Sequence, residues 1–339
     1  MTEVAAHDRT CTNCGETCPS DAKWCEACGS DLDAIAAPPK KPCVSCGGDS
    51  VEITDDGWCQ LCGTKQPAPE DHVVVDRGWF AIVSDRGRVH RTNEDAGAVA
   101  ARPTGAALVV CDGVSSTNES QHASQNAAST IIGLVEQASV TGLEQAIVDA
   151  SAAAQAEIVN VTAQTSAEPP SCTMVTAVAH ITGDRADLRI GWLGDSRAYW
   201  LANGTATQLT RDHSWAEEQL ALGELDPAVI EADSRAHSIT RWLGADSHDV
   251  TPEMLTMQVE LPGLLLVCSD GLWNYAPTAQ EMHTVVYPAL DQQAGENNET
   301  VLARAERLVA FANEKGGHDN ITVAIAELTP PSSPSSLQE

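Results

Sequence analysis

The sequence predicts an α+β fold: a four-layer α-β-β-α sandwich of two antiparallel sheets flanked by helices, preceded by two small cysteine-built modules. Three observations carry this. Apolar, β-rich runs recur between residues 73 and 329 without strict alternation with helices. Helical periodicity is gathered into a few blocks, which suits helices lying outside packed sheets. Nine of the 12 cysteines fall before residue 63.

The cysteines come first along the chain. Cys11-x-x-Cys14 pairs with Cys25-x-x-Cys28, and Cys43-x-x-Cys46 pairs with Cys59-x-x-Cys62. In a reducing compartment such pairs read as metal ligands rather than disulfides. A glycine follows Cys14, Cys28, Cys46 and Cys62, which suits a tight turn whose amides face sulfur. Four thiolates close a tetrahedral Zn²⁺ site with no open position. Two structural zincs are therefore expected, each supplying folding energy to a segment too short for a core. Cys18 reads as a spare thiol. Ala36–Pro42 and Gln66–Glu70 read as stiff linkers. The expected organisation is zinc ribbon 1 over residues 1–36, zinc ribbon 2 over 37–72, the main domain over 73–329, and a Pro/Ser-rich disordered tail over 330–339.

In the main domain, strands are expected at Trp79–Ser84, Ala106–Cys111, Thr173–Ile181, Asp187–Leu193, Ala198–Leu201, Met257–Glu260, Leu264–Cys268 and Ile321–Leu328. Two helical blocks, 117–137 and 142–163, fall between the second and third of these. The latter carries Leu143, Ile147, Ala150, Ala154, Ile158 and Val161 at helical spacing. A third helix starts at the capping-box pattern Ser214-Trp215-Ala216-Glu217, and a fourth runs from about Thr300 to Glu314.

Charge narrows the partners. The formal charge is −29, and residues 1–72 hold five Lys/Arg against 13 Asp/Glu. That sign opposes binding to nucleic acid or anionic lipid, so a protein partner is expected at the ribbons, with a plain folding module as the alternative. No apolar run approaches the ~18 residues needed to cross a bilayer. The first eight residues lack a signal-peptide pattern. No membrane association and a cytoplasmic location are expected.

Five acidic residues sit in polar or glycine-flanked turns: Glu94, Asp112, Asp195, Asp270 and Asp319. At least three directly follow an expected strand. A carboxylate at the end of a buried strand is costly to ionise alone. Several converging are best explained by a cation that neutralises them. Oxygen-only ligation favours Mg²⁺ or Mn²⁺ over Zn²⁺, which points to metal-assisted hydrolysis.

The motifs also form an ordered set. Ser84-Asp85-Arg86-Gly87 precedes Asn93-Glu94-Asp95, Cys111-Asp112-Gly113 and Gly194-Asp195-Ser196-Arg197-Ala198-Tyr199. Leu209–Ser214, Ile239–Gly244, Cys268–Trp273 and Gly317–Thr322 follow. Over about residues 77–328 this set resembles the metal-dependent protein phosphatases of the 2C type. The resemblance implies hydrolysis of phosphoserine and phosphothreonine in proteins, the products of Ser/Thr kinases, at two Mn²⁺ or Mg²⁺ ions. Carried over residue by residue, it makes Asp112 the carboxylate shared by both ions, with the Gly113 carbonyl beside it. Asp270 and Asp319 become ligands of the second ion. Glu94 becomes the acid that holds a bound water, and Asp195 the contact of a third, weaker ion. The resemblance also implies that water activated by the ions would attack phosphorus in line, so Cys111, Cys172 and Cys268 read as small buried apolar residues.

Departures from the family pattern leave alternatives. Where the family often has its phosphate-binding Arg, this chain has His90, with Arg91 next to it and Arg88 nearby. His90, Arg91 or Arg88 could bind phosphate, or the metals could hold it alone. Val114 stands where eukaryotic relatives have a His, and it cannot transfer a proton. His213, His237 and His318 read as hydrogen-bonded structural residues. The stretch 211–238, which matches a flap in the family, is acidic. It reads as a solvated face or as a surface favouring basic phosphosites. Three functions compete: a protein phosphatase, a catalytically weak phosphatase-like scaffold that binds phosphoproteins, and a hydrolase of small phosphoesters.

Overall fold

The computed structural model describes residues 9–11, 16–19, 22–29, 42–49, 53–54, 57–114, 120–162, 169–288 and 299–331. Cys14, most of the linker Ala36–Pro42 and the tail beyond residue 331 lie outside them. The chain divides into two compact units, Met1–Gln66 and Pro67–Glu339.

In the first unit, β1 (Arg9–Thr10) and β2 (Thr17–Cys18) form a short antiparallel pair. The second cysteine module has isolated bridges at Ile53–Cys59 and Trp58–Lys65. Among the described residues, the buried apolar groups are Cys11, Cys18 and Cys25 in one cluster and Cys43, Ile53 and Cys59 in the other. Gly29, Gly47 and Gly63 take positive φ, and their N–H groups donate to the carbonyls of Cys25, Cys43 and Cys59. Each turn is thereby folded back over its cysteine pair.

The second unit is the sandwich. Its strands begin with β3 (His72–Asp76), β4 (Phe80–Asp85), β5 (Ala96–Arg102) and β6 (Gly105–Cys111). Two long helices follow, α1 (Ser120–Gln137) and α2 (Leu143–Thr162). Then come β7 (Ser171–Cys172), β8 (Met174–Thr182), β9 (Arg185–Leu193), β10 (Arg197–Ala202) and β11 (Thr205–Gln208). Short helices α3 (Trp215–Leu222) and α4 (Pro227–Glu231) precede β12 (Leu243–Gly244), β13 (Glu253–Glu260) and β14 (Gly263–Cys268). Helices α5 (Asp270–Trp273), α6 (Ala279–Val286) and α7 (Val301–Glu314) lead into β15 (Ile321–Leu328).

One sheet has the order β11-β10-β14-β15-β4-β3, the other β13-β9-β8-β6-β5, and neighbours in both are antiparallel. Three apolar layers hold the stack. Ile82, Leu108, Leu188 and Val267 lie between the sheets. Val83, Leu266 and Val323 meet Leu308 of α7 on one outer face. Val109 and Val178 meet Ile131 of α1 and Ile147 of α2 on the other. Central strands are thus buried on both faces, which is why Leu264–Cys268 and Ile321–Leu328 read as continuous apolar runs rather than alternating ones.

All eight expected strands and all four expected helices form, with ends displaced by a few residues. The expected helix start at 117 lies outside the described residues. In the second unit, strands β3, β5, β7, β11 and β12 and helices α4, α5 and α6 were not anticipated. The Ala/Gly-rich β5 has weak strand propensity and forms because it pairs along β6. Helix α6 did carry a readable signal. Thr278 Oγ1 accepts the Glu281 N–H, and Glu281 Oε2 accepts the Thr278 N–H, a complete capping box.

Candidate metal centre

Strand register brings the acidic turns together. Ala96 pairs with Cys111, so Glu94 and Asp95, entering β5, lie beside Asp112, leaving β6. Cys268 pairs with Val323, so Asp270, leaving β14, meets Asp319, which precedes β15. Met174 pairs with Leu193, which sets Thr173 beside the Gly194-Asp195 turn.

Hydrogen bonds then lock these turns to one another. The Thr173 N–H donates to the Asp112 carbonyl at 2.7 Å, and the Thr173 hydroxyl accepts the Asp112 N–H at 3.1 Å. The same hydroxyl lies 2.8 Å from that of Ser196. Asn320 Oδ1 accepts the Glu94 N–H at 2.8 Å, while its Nδ2 donates to the carbonyls of Arg86 and Thr92. The Ser269 hydroxyl donates to Asp95 Oδ2 at 2.7 Å. Trp273 Nε1 donates to the Asp195 carbonyl at 2.9 Å. Over the Trp273 ring lies the guanidinium of Arg197, 3.6 Å from its centroid and bonded through Nη2 to Asp212 Oδ2 at 2.7 Å.

The electrostatics follow from crowding. Burial, then Asp95, Asp270, Asp195 and Asp319, push the Asp112 carboxyl far above the ordinary carboxylate range. Burial, then Asp195, Asp319 and Asp95, do the same to Asp270. Asp195 is pushed up to about 7, by burial first and then by Asp212. Glu94 also rises to about 7, by burial first, with His90 opposing and Asp319 and Asp95 assisting. Asp95 rises to about 6 through burial, against the Ser269 hydrogen bond. Each carboxylate therefore opposes the ionisation of the next.

Do the residues fit a divalent cation? Among the described residues, Asp95 Oδ1 and Asp270 Oδ1 are buried acceptors without a hydrogen-bond partner. An all-oxygen set of converging anions with unsatisfied lone pairs is the donor chemistry a hard cation requires. Gly113 packs so closely that a Cβ there would meet the Glu94 carbonyl oxygen at 2.8 Å. The chain thus crosses at Gly113 with its backbone against the acidic group.

The residues expected to meet phosphate lie at the rim. His90 is exposed, and its Nε2 is 3.3 Å from Asp319 Oδ1. Arg91 and Arg88 are exposed on the same loop, where the Arg88 N–H donates to the Gly317 carbonyl. His213 is buried and bonded on both ring nitrogens. Nδ1 accepts the Gly194 N–H at 3.1 Å, and Nε2 lies 3.1 Å from Glu253 Oε2. Cys111, Cys172 and Cys268 are fully buried. Contact with Cys172, and then burial, raise the Cys111 thiol far above its usual range, a setting for packing rather than nucleophilic attack.

In the first unit, one potential ligand atom each from Cys43, Cys46, Cys59 and Cys62 lie within 4.8 Å of one another. Their sulfurs approach to 3.6 Å (Cys43–Cys62) and 3.7 Å (Cys46–Cys59). Tetrahedral zinc with Zn–S bonds of ~2.3 Å sets sulfurs about 3.8 Å apart. The Cys43 sulfur also accepts from the Ser45 N–H and from Gln66 Nε2. Cys11, Cys25 and Cys28 form a matching group; Cys14 lies outside the described residues.

A sequence model described as Protein phosphatase 2C matches residues 86–311, two thirds of the chain. This chain belongs to the protein phosphatase 2C family. The serine/threonine phosphatase stp of Listeria innocua is 34% identical over 152 residues, 45% of this chain and 56% of that protein. The chain thus spans about half the length of such curated relatives. The serine/threonine phosphatase of S. agalactiae shares the fold, with a TM-score of 0.63 at 21% identity over 74% of this chain and 98% of that one. The catalytic domain of the serine/threonine protein phosphatase PstP, solved in complex with two manganese ions, has a TM-score of 0.57 at 27% identity. That match covers 74% of this chain and 97% of the other.

Within this protein phosphatase 2C domain, sequence reasoning passed over four residues. Asp95 stands in the quoted Asn93-Glu94-Asp95 motif, yet it received no role because β5 went unrecognised. The Asn320 amide, which joins the Glu94 and Asp319 turns, had no signal beyond its neighbour. The Arg197–Asp212 pair, 15 residues apart and buried, is a tertiary fact.

Proposed function

We propose that the second unit hydrolyses phosphoserine and phosphothreonine in proteins, using two Mn²⁺ or Mg²⁺ ions and a third, weaker ion at Asp195. Asp112 would bridge the two ions, joined by the Gly113 carbonyl. Asp270 and Asp319 would hold the second ion. Bound divalent ions would supply water activated near neutral pH and would screen phosphate charge. Glu94 would orient that water. His90 or Arg91 would receive the phosphate at the rim, and Val114 leaves the leaving-group proton to solvent or another side chain.

The observation that carries this reading is the convergence of Asp95, Asp270, Asp195 and Asp319 on the buried Asp112, whose ionisation they oppose, an opposition that bound cations would relieve. The test is turnover of para-nitrophenyl phosphate and of phosphoserine peptides with Mn²⁺, with and without EDTA. Metal-dependent turnover that prefers phosphopeptides is expected. Turnover of the small ester alone would reassign the unit to small phosphoesters. No turnover by folded protein that still binds phosphopeptide would make it a scaffold.

The first unit would hold two structural zinc ions. Cys11, Cys14, Cys25 and Cys28 would bind one, and Cys43, Cys46, Cys59 and Cys62 the other. Its acidic surface suits contact with a protein rather than nucleic acid. No described helix is long and apolar enough to cross a membrane, and we place the protein's work in the cytoplasm. Metal analysis expecting about two firmly held zincs per chain checks the ribbons.

A further inference from the structure

We propose that the α3–α4 segment is a docking surface for a partner stretch in which Lys or Arg residues alternate with Leu- or Val-like residues. That the docked stretch belongs to a substrate rests on the phosphatase reading above; that it docks does not.

Residues 215–233 contain six acidic residues and no Lys or Arg. Such a run alone would be a solvated face. The structure adds a second feature. Leu220, Leu222, Leu225 and Val229 are 44%, 63%, 42% and 57% exposed, all within ten residues. Helix α3 buries none of its residues, and α4 buries only Ile230. These four side chains contribute little to the core and remain open to association. Among the described residues, Asp233 is the one carboxylate of the six with an ion-pair partner, Arg235. Asp226 is engaged at the start of α4, where its Oδ1 accepts the Ala228 N–H. Apolar side chains interleaved with unpaired carboxylates call for a partner that is apolar and cationic by turns.

The segment's base is fixed beside the acidic centre. The Trp215 N–H donates to the Ser238 carbonyl, and the Ala216 N–H to that of Ala236. The His213 N–H donates to the Gly194 carbonyl, and the Thr240 N–H to that of His213. These bonds tie both ends of the segment to the turn that carries Asp195. A stretch held on α3 and α4 would therefore lie next to the site.

The test is fluorescence anisotropy with the full chain and three labelled, unphosphorylated peptides. One alternates Arg with Leu, one has Glu in place of Arg, and one has Ser in place of Leu. The first is expected to bind about tenfold tighter than either control, and Leu222→Ser/Val229→Ser to lose most of that difference. Equal binding of the three peptides by the unmodified protein overturns the proposal, whatever the variant does. Self-association abolished by Leu222→Ser/Val229→Ser, without peptide selectivity, also overturns it in favour of a second copy of this chain. Hydrolysis of para-nitrophenyl phosphate by the unmodified protein scores the phosphatase reading separately. Selective binding without hydrolysis would sink that reading and leave the docking surface standing.

Discussion

Cys43, Cys46, Cys59 and Cys62 gather around a point with, among the described residues, Ile53 as buried apolar company. Asp112 and Asp270 instead lie at the end of two sheets held by three apolar layers. In the first unit, metal would serve in place of a core. In the second, apolar layers build the fold and bring like charges together. Burial of Leu266, Val267, Ile325 and their neighbours supplies the free energy that tolerates the crowding of carboxylates. Zinc would thus build one unit, whereas Mn²⁺ or Mg²⁺ would merely be drawn to the other.

The largest effect expected from this difference is on the first unit. Structural zinc contributes apparent binding energies on the order of 10–16 kcal/mol, far above what clusters of three buried residues offer. Stripping all metal and restoring Mn²⁺ alone should unfold the first unit and leave the sandwich's melting unchanged. Limited proteolysis and calorimetry would read the two events separately. A sandwich that melts earlier without zinc would break the comparison.

Asp112→Asn comes next, and its two effects should have opposite signs. Loss of a carboxylate shared by two ions should lower kcat on the order of a thousandfold. In metal-free protein, the same change replaces a buried carboxyl, whose ionisation burial and then Asp95, Asp270, Asp195 and Asp319 oppose, with a neutral amide. Its melting temperature without metal should therefore equal or exceed that of the unmodified protein. A clear drop would mean that Asp112 holds the fold together rather than straining it.

Much of this contrast was legible in the sequence, for a physical reason. Cys-x-x-Cys spacing reports a ligand set directly, because both thiolates come from one turn. The sandwich was legible where strands are buried on both faces, as in Leu264–Cys268. It was hidden where small residues form a strand only by pairing, as in Ala96–Arg102. Glu94, Asp112 and Asp270 could be chosen from their motifs, but their convergence depends on register between β5 and β6 and between β14 and β15. Register is fixed by tertiary packing, which no local pattern records. The buried Arg197–Asp212 pair was silent for the same reason.

A smaller effect tests the rim. His90 leans on Asp319, and Arg91 shares its exposed loop. Replacing both with Ala should raise KM for a phosphopeptide several-fold, about 1–2 kcal/mol of binding lost. Zinc content and melting should not change. An unchanged KM would assign phosphate binding to the ions alone and make this loop a solvated basic turn.

The smallest expected effect asks what pins the sandwich's edge without metal. Glu299, just ahead of α7, accepts from Arg307 Nε at 2.7 Å, Arg307 Nη2 at 2.9 Å and Arg304 Nε at 3.2 Å. Arg307 also donates to the carbonyls of Val285 and Val286, so one carboxylate ties the start of α7 to the end of α6. The Arg307 hydrogen bonds, against partial burial, hold the Glu299 carboxyl below the ordinary Glu range. A group whose folded pKa is depressed stabilises the fold fully above its unfolded value, near 4.3. That contribution is lost as pH falls through the lower folded value. Glu299→Gln should therefore cost about 1 kcal/mol at pH 7 and flatten the acid limb of the stability curve below about pH 4.5. The zinc ribbons should fail before that limb is reached, because protons compete with zinc for thiolates. Melting of the sandwich from pH 7 to pH 3, with zinc release followed in parallel, would separate the two acid responses. If Glu299→Gln leaves the acid limb as steep as before, the ion pair adds nothing measurable, and the α6–α7 edge rests on Met282, Val286 and Leu308 in the outer apolar layer.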